Sequence, residues 1–196
     1  MRLYFVRHGK DDDRYRGGWS NLDLTPEGIE QAQQLAHHLN KNNDNYKISK
    51  IISSDLTRAM TTANIIANEL QLPIQQEFEI REINNGDLAG MLNETASEKY
   101  LGLFFSSLDM NETYPNVESP NDFYQRIKNW FCDFCFENKD ENVLIVTHGG
   151  VINIIYHLVK CIEWNNKRKS YPVSNCSIHV LNIETLKFET ENKTVF

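Results

Sequence analysis

Val143-Leu144-Ile145-Val146-Thr147-His148-Gly149-Gly150 is the stretch whose reading decides the fold. VLIVT carries no polar residue before its last position and is dominated by branched aliphatic side chains. That pattern predicts a strand buried on both faces of a sheet. It stops at His148, and a helical pattern follows to about Val159. Upstream, residues 2–6, RLYFV, predict a second buried strand, ending at Arg7-His8-Gly9. Ile48–Ser53 predicts a third. A helix is expected to follow it to about Leu70, capped by Asp55, with Ala59, Ala63, Ile66 and Leu70 as its inner stripe and Pro73 beyond its end.

Between the first two of these strands, Thr25-Pro26-Glu27 marks a helix start, with Thr25 as cap and Pro26 in the first turn. Ile29, Ala32, Leu35, Ala36 and Leu39 fall on one face of that helix, which is expected to end in the polar stretch Asn40–Asn45. Ile74–Phe78 predicts a short strand. Ser119-Pro120 opens a helix over about 121–137, rich in Phe and Trp. Ser177–Ile183 predicts a last long strand, and Lys187–Thr190 a partner for it. Residues 79–120 hold Gly86, Gly90, Gly102, Pro115 and Pro120 and read as loops and short helices over one end of the sheet. Strands alternating with helices predict the α/β class, a three-layer α/β/α sandwich around a mostly parallel central sheet. With no repeat or linker in sight, residues 1–196 are expected to form one domain, about 83–120 being a lid-like insertion.

Composition excludes several function classes. The 196 residues are 40% hydrophobic and 24% charged, ordinary globular values. No apolar run approaches the roughly 20 residues of a membrane helix. The N-terminal MRLYFVRHGK is too short and too soon charged for a signal peptide, so a soluble cytoplasmic protein is expected. The net charge of -7 gives no general surface for nucleic acid. Any anion site must therefore be a local cluster of cations. Cys132, Cys135, Cys161 and Cys176 are expected to be reduced. The Cys132/Cys135 CxxC lies in a helical pattern with no second ligand pair at zinc spacing, so buried or half-buried helix cysteines are expected there.

In α/β sheets, ligands bind beyond the carboxyl ends of strands. Arg7 and His8 follow the first strand, Arg58 opens the helix after the next, and His148 follows VLIVT. Two guanidinium groups and two imidazoles at one sheet edge call for an anion. Arg matches phosphate oxygens in bidentate fashion, and the helix N-terminus near Arg58 favours an anion too.

These blocks resemble the histidine phosphatase (phosphoglycerate mutase-like) superfamily. LYFVRHGK is similar to its RHG signature, SSDLTRAMTTANIIA to its phosphate-binding Arg block and IREINNGDLAG to its acid block. VTHGGVI is similar to its second-His block and VSNCSIHVL to its last strand. The matches stand in family order over residues 2–181. The resemblance implies a phosphoglycerate mutase-like fold and a phosphatase needing no metal and no cofactor. His8 would be the nucleophile, as a neutral imidazole whose other nitrogen donates to a backbone carbonyl. Arg7, Arg58 and His148 would hold the phosphoryl oxygens. Glu82 would protonate the leaving alkoxide and then deprotonate water, and a neighbouring phosphate would help it keep its proton. Glu79 and Asp87 are competing acids.

One departure stands in the loop after RHG, where many members carry an Asn that touches phosphate and this chain has Arg14. Lys10 also replaces the usual Glu. Arg14 either reaches the substrate or forms local ion pairs with Asp11, Asp12 and Asp13 in a solvated loop. Asn21 in the same segment and Gly149 beside His148 complete the expected substrate-binding set. Trp19 is expected in the core and Phe104 and Phe105 in a lid. His37 and His38 are expected to face solvent, while His157 and His179 are read as packing or surface residues. The expected partner is a small phosphorylated metabolite, with oligomeric state left open. Two other functions compete. A mutase would carry a longer insertion than the 65 residues between Glu82 and His148, and a non-catalytic phosphoryl-binding module would not need the full set of side chains.

Overall fold

In a computed structural model, residues 1–113, 117–138, 140–168 and 170–196 are described; Pro115 lies outside them. In chain order the elements are β1 (Arg2–Arg7), α1 (Pro26–Lys41), α2 (Asn43–Tyr46), β2 (Ile48–Ser54), α3 (Thr57–Leu70) and β3 (Ile74–Glu77). Then come α4 (Asn93–Lys99), α5 (Pro120–Glu137), β4 (Asn142–Thr147), α6 (Gly149–Val159), β5 (Ile178–Asn182) and β6 (Lys187–Lys193). The sheet order is β3-β2-β4-β1-β5-β6. The β3-β2, β2-β4 and β4-β1 pairings are parallel, while β5 runs antiparallel to both β1 and β6.

Period-two alternation divides the central strands between two cores. Leu3, Phe5, Val143 and Ile145 pack with Phe123 and Ile127 of α5 and Val151 and Ile155 of α6. Tyr4, Val6, Leu144 and Val146 pack on the other side with Leu35 and Leu39 of α1 and Ala63 and Ile66 of α3. Helices therefore cover both faces, giving the three layers and explaining why β1 and β4 read as continuous apolar runs. Truncating Phe5, which is fully buried, would cost about 3–5 kcal/mol.

Several local expectations need correction. Ile29 is 38% exposed, and Gly28 takes the buried place on α1. A Cβ on Gly28 would fall on the Lys10 backbone, and one on Gly9 would fall on the Gly28 carbonyl; this close approach seats the loop after β1 on the start of α1. Asp55 does not cap α3, whose N-cap is Leu56 with no side-chain cap. Its carboxylate is instead taken by the Arg81 guanidinium in a two-bond fork. The stretch Asn40–Asn45 does not simply unwind, since α2 adds one turn there. Cys132 is exposed, Cys135 half-buried, and all four cysteines are free. By contrast, Ser119 caps α5 through a reciprocal capping box with Asp122. Among the described residues no helix is long and apolar enough to cross a membrane.

Candidate active site

The parallel strands β1, β2 and β4 end at one sheet edge, and each delivers part of the site. β1 supplies Arg7 and then His8, which is only 4% exposed. His8 Nδ1 lies 2.7 Å from the Gly9 carbonyl. A carbonyl only accepts, so Nδ1 carries the proton and Nε2 the lone pair. Arg58 Nε donates to that Nε2 at 3.3 Å, consistent with the same tautomer. Burial, reinforced by the Arg58 and Arg7 cations, pushes the imidazole well below its ordinary pKa of 6.5. His8 is therefore neutral, as a nitrogen nucleophile must be.

Arg58, in the first turn of α3, is 2% exposed. It donates to the carbonyls of Gly18 at 2.7 Å and Ser20 at 3.3 Å, and Asp11 Oδ2 lies 3.4 Å from its Nε. Burial lowers its pKa, opposed by Asp11 and Glu82, and a guanidinium keeps its proton under such conditions.

β4 delivers His148, fully buried, with its ring centroid 5.1 Å from that of His8. Its Nε2 is 2.8 Å from Ser54 Oγ at the end of β2. Ser54 Oγ already accepts from Leu56 N–H, so its hydroxyl proton is free to point at His148 Nε2, leaving the imidazole proton on Nδ1. Burial, then Arg58, His8, Arg7 and Arg126, push His148 well below its ordinary pKa. Its Nδ1 is buried without a partner, and so is Arg7 Nε. Arg7 otherwise donates from Nη1 to the Val173 carbonyl at 2.8 Å. A buried donor without an acceptor costs about 1–3 kcal/mol, and an oxyanion would supply the missing acceptor.

Glu82 stands in the irregular segment after a single 3-10 turn, Phe78–Ile80. Its Oε2 accepts from Gly150 N at 3.0 Å and its Oε1 from Ile83 N at 3.1 Å. A Cβ on Gly150 would fall on Glu82 Oε1, so the glycine is what lets the carboxylate reach the N-terminal turn of α6. A cavity of about 650 Å³, the size of a small-molecule site, is lined by Arg7, His8, Glu82, Gly149, Arg16 and Phe104 among others. A second cleft, about 450 Å³, lies along β3 and α5 and is lined by Glu79 but by none of Arg7, His8, Arg58, Glu82, His148 and Gly149. Among the described residues no group of three His, Cys, Asp or Glu side chains is placed to hold a metal ion.

The structure brings Arg7, His8, Arg58, Glu82, His148 and Gly149 together, but not all the other candidates. Arg14 is 74% exposed and forks onto Asp12, which is the local ion pair and not a reach toward phosphate. The short loop returns its side chain to its own neighbour. Asn21 is exposed and outside the cavity lining. Trp19 is half-buried, not core; its indole donates to the Glu82 carbonyl at 2.6 Å. Glu79 and Asp87 are exposed and absent from the cavity lining. Phe104 and Phe105 both line the cavity. His37 is exposed, His38 is half-buried on Tyr46, and His157 and His179 are buried. The sequence reading missed Ser54, which sits at a strand end and was open to the same rule as Arg7. It also missed Arg16, whose Nε is buried without a partner and whose guanidinium lies 4.3 Å from the Phe104 ring. Nothing local distinguishes Arg16 from Arg14.

A neutral imidazole facing a cation-lined cavity, where the parallel strands of the sheet end, is the arrangement of a class: α/β enzymes that hydrolyse phosphate monoesters through histidine. The chain belongs to the histidine phosphatase superfamily (branch 1), whose family model matches residues 3–194. It is a phosphomonoester hydrolase of phosphoglycerate mutase-like fold. Phosphoglycerate mutase-like protein 4 of Arabidopsis thaliana is 31% identical over 92% of this chain and 79% of its own. The metal-independent phosphoserine phosphatase of the same plant is 28% identical over 95% and 78%. The α-ribazole phosphatase structure from Shigella flexneri, 24% identical, superimposes with a TM-score of 0.84 over 98% of this chain and 96% of that one, a likeness of fold.

Proposed function

We propose that the protein hydrolyses small phosphorylated metabolites in the cytoplasm through a phosphohistidine on His8, residues 1–196 acting as one domain with about 83–120 as its lid. The observation that carries the reading is the locked tautomer of His8, with its Nε2 lone pair beside Arg58 in a closed-in cationic pocket. Nε2 attacks phosphorus, the N–P bond forms and the P–O bond to the substrate breaks. Arg7, Arg58 and His148 take up the charge on the phosphoryl oxygens. Glu82 gives a proton to the departing alkoxide. As a carboxylate it then takes a proton from the water that attacks the phosphohistidine, and phosphate leaves.

The cavity also suggests which metabolites fit. In a chain of net charge -7, its lining carries Arg7, Arg16, Lys167 and Arg168 against the single carboxylate of Glu82. With Arg7 engaged on the phosphoryl group and Lys167 Nζ donating to the Ser107 and Leu108 carbonyls, Arg16 and Arg168 suit a second negative group on the substrate. The acidic chain offers no comparable surface to nucleic acid. The short span between Glu82 and His148 favours hydrolysis over a mutase reaction, because less chain is available to exclude water.

The test is phosphate release from p-nitrophenyl phosphate without added metal, together with acid-labile labelling of the protein by a phosphorylated substrate. His8→Ala should abolish both. Wild-type turnover in His8→Ala would overturn the reading, as would a requirement for a divalent metal. Isomerisation of 3-phosphoglycerate outpacing its hydrolysis would favour the mutase.

A further inference from the structure

The segment that carries Glu82 has no sheet or helix ladder of its own. Beyond the turn Phe78–Ile80 its backbone carbonyls need other donors, and one guanidinium supplies most of them. Arg126, on α5, donates from Nη1 to the carbonyls of Glu79 at 2.6 Å and Arg81 at 3.0 Å. Its Nη2 donates to the carbonyl of Glu82 itself at 3.2 Å. The same guanidinium is forked onto Glu118, just before α5, at 2.6 and 2.9 Å. Glu118 in turn accepts the backbone N–H of Asn84 at 3.0 Å. The two side chains are only 11% and 12% exposed, so the fork is shielded from water on a rigid helix entry.

The geometry points to Arg126 and Glu118 as positioning residues for proton transfer by Glu82. They clamp the main chain on both sides of Glu82, while Gly150 N–H and Ile83 N–H hold its carboxylate. Neither touches the reacting atoms; both act through Glu82. Loss of the clamp frees the Glu79 and Arg81 carbonyls and the Asn84 N–H and leaves the Glu82 carbonyl to the Trp19 indole alone, and Glu82 then moves relative to the leaving-group oxygen. Small displacements of a proton donor are costly, because general acid catalysis requires hydrogen-bond reach.

This inference rests on the role proposed for Glu82, and leaving-group chemistry separates the two. p-Nitrophenolate leaves without a proton, whereas an alkoxide does not. kcat/KM reads the step that forms the phosphoenzyme, so it isolates the acid. The experiment compares kcat/KM for p-nitrophenyl phosphate and glycerol 3-phosphate in Arg126→Lys, Glu118→Gln and Glu82→Gln. Glu82→Gln should lose about 10²–10⁴-fold on glycerol 3-phosphate and less than about tenfold on p-nitrophenyl phosphate. Arg126→Lys and Glu118→Gln should show the same selective pattern at about tenfold, with the alkaline limb of the pH profile, where a general acid is lost, flattened on the alkyl ester alone. If Glu82→Gln shows no selectivity, the acid is elsewhere and the clamp has nothing to position. If Glu82→Gln is selective but both clamp variants lose activity equally on the two esters, or not at all, the clamp is only structural and the inference fails. Glu118→Gln is isosteric, so it provides the reading if Arg126→Lys does not fold.

Discussion

Replacing Gly150 by Ala should separate stability from activity. Gly150 is the second residue of α6, and no unusual backbone angle requires glycine there. Helix propensity alone favours Ala by up to about 1 kcal/mol in a helix interior, and less in a first turn. The added Cβ would fall on Glu82 Oε1 and come within 3.1 Å of Phe123 Cε1. The carboxylate is the far end of a flexible side chain, so it is the carboxylate that moves. The hydrogen bond from Gly150 N–H to Glu82 is then lost or lengthened, a charged bond worth about 1.5–3 kcal/mol. Part of that returns as the freed carboxylate meets water. The net change in stability should stay within about 2 kcal/mol, a shift of less than about 8 °C in Tm for a chain of this size. Catalysis has no such compensation. A displaced acid should cost about 10²-fold in kcat/KM on an alkyl phosphate and little on p-nitrophenyl phosphate. Thermal unfolding and the two-ester comparison on one preparation give both readings. Wild-type kcat/KM on the alkyl ester, or unfolding at room temperature, would refute the reasoning.

Three other outcomes are expected. His8, His148 and His179 are all buried with pKa values pushed down by burial, His179 to about 4. A depressed folded-state pKa means that the unfolded chain binds more protons below pH 6.5, so stability should fall with pH from there toward pH 4. For His179 alone the loss at pH 5 is about 2 kcal/mol, and urea titrations at pH 8 and pH 5 should show a shallower decline in His179→Asn; an equal decline would refute it. Arg14→Ala should match wild type in kcat/KM and in Tm, because the exposed Arg14 side chain meets only its neighbours Asp12 and Tyr15; a loss of phosphate affinity would restore it to the site. Arg16→Met should raise KM about tenfold for a phosphomonoester bearing a carboxylate and leave p-nitrophenyl phosphate unchanged; equal effects on both would place Arg16 on the transferring phosphoryl group instead.

How far the sequence could be read depended on where the determining contacts lie. β1, β4 and the entry to α5 were legible because their signals are local: an unbroken apolar run, a Ser-Pro start with Asp at the third helical position. Arg7, His8, Arg58 and His148 were legible because short elements end where those residues stand, and parallel strands then carry their ends to one edge. Asp55 misled because its preference for a cap competes with Arg81, 26 residues away, whose two-bond fork won. Arg14 and Arg16 lie two residues apart with like chemistry, and only the path of the loop turns one to solvent and the other to the cavity.

The amino-acid order alone thus determined the layered α/β architecture and the four residues at strand and helix ends, since periodicity and strand termini are properties of neighbours along the chain. Tertiary structure alone decided the tautomer of His8, the partner of His148, the hold on Glu82 by Arg126 and Gly150, and which loop arginine lines the cavity. Each of these depends on groups far apart in sequence meeting within hydrogen-bond distance, and a polar side chain settles on whichever partner the packed core leaves within reach.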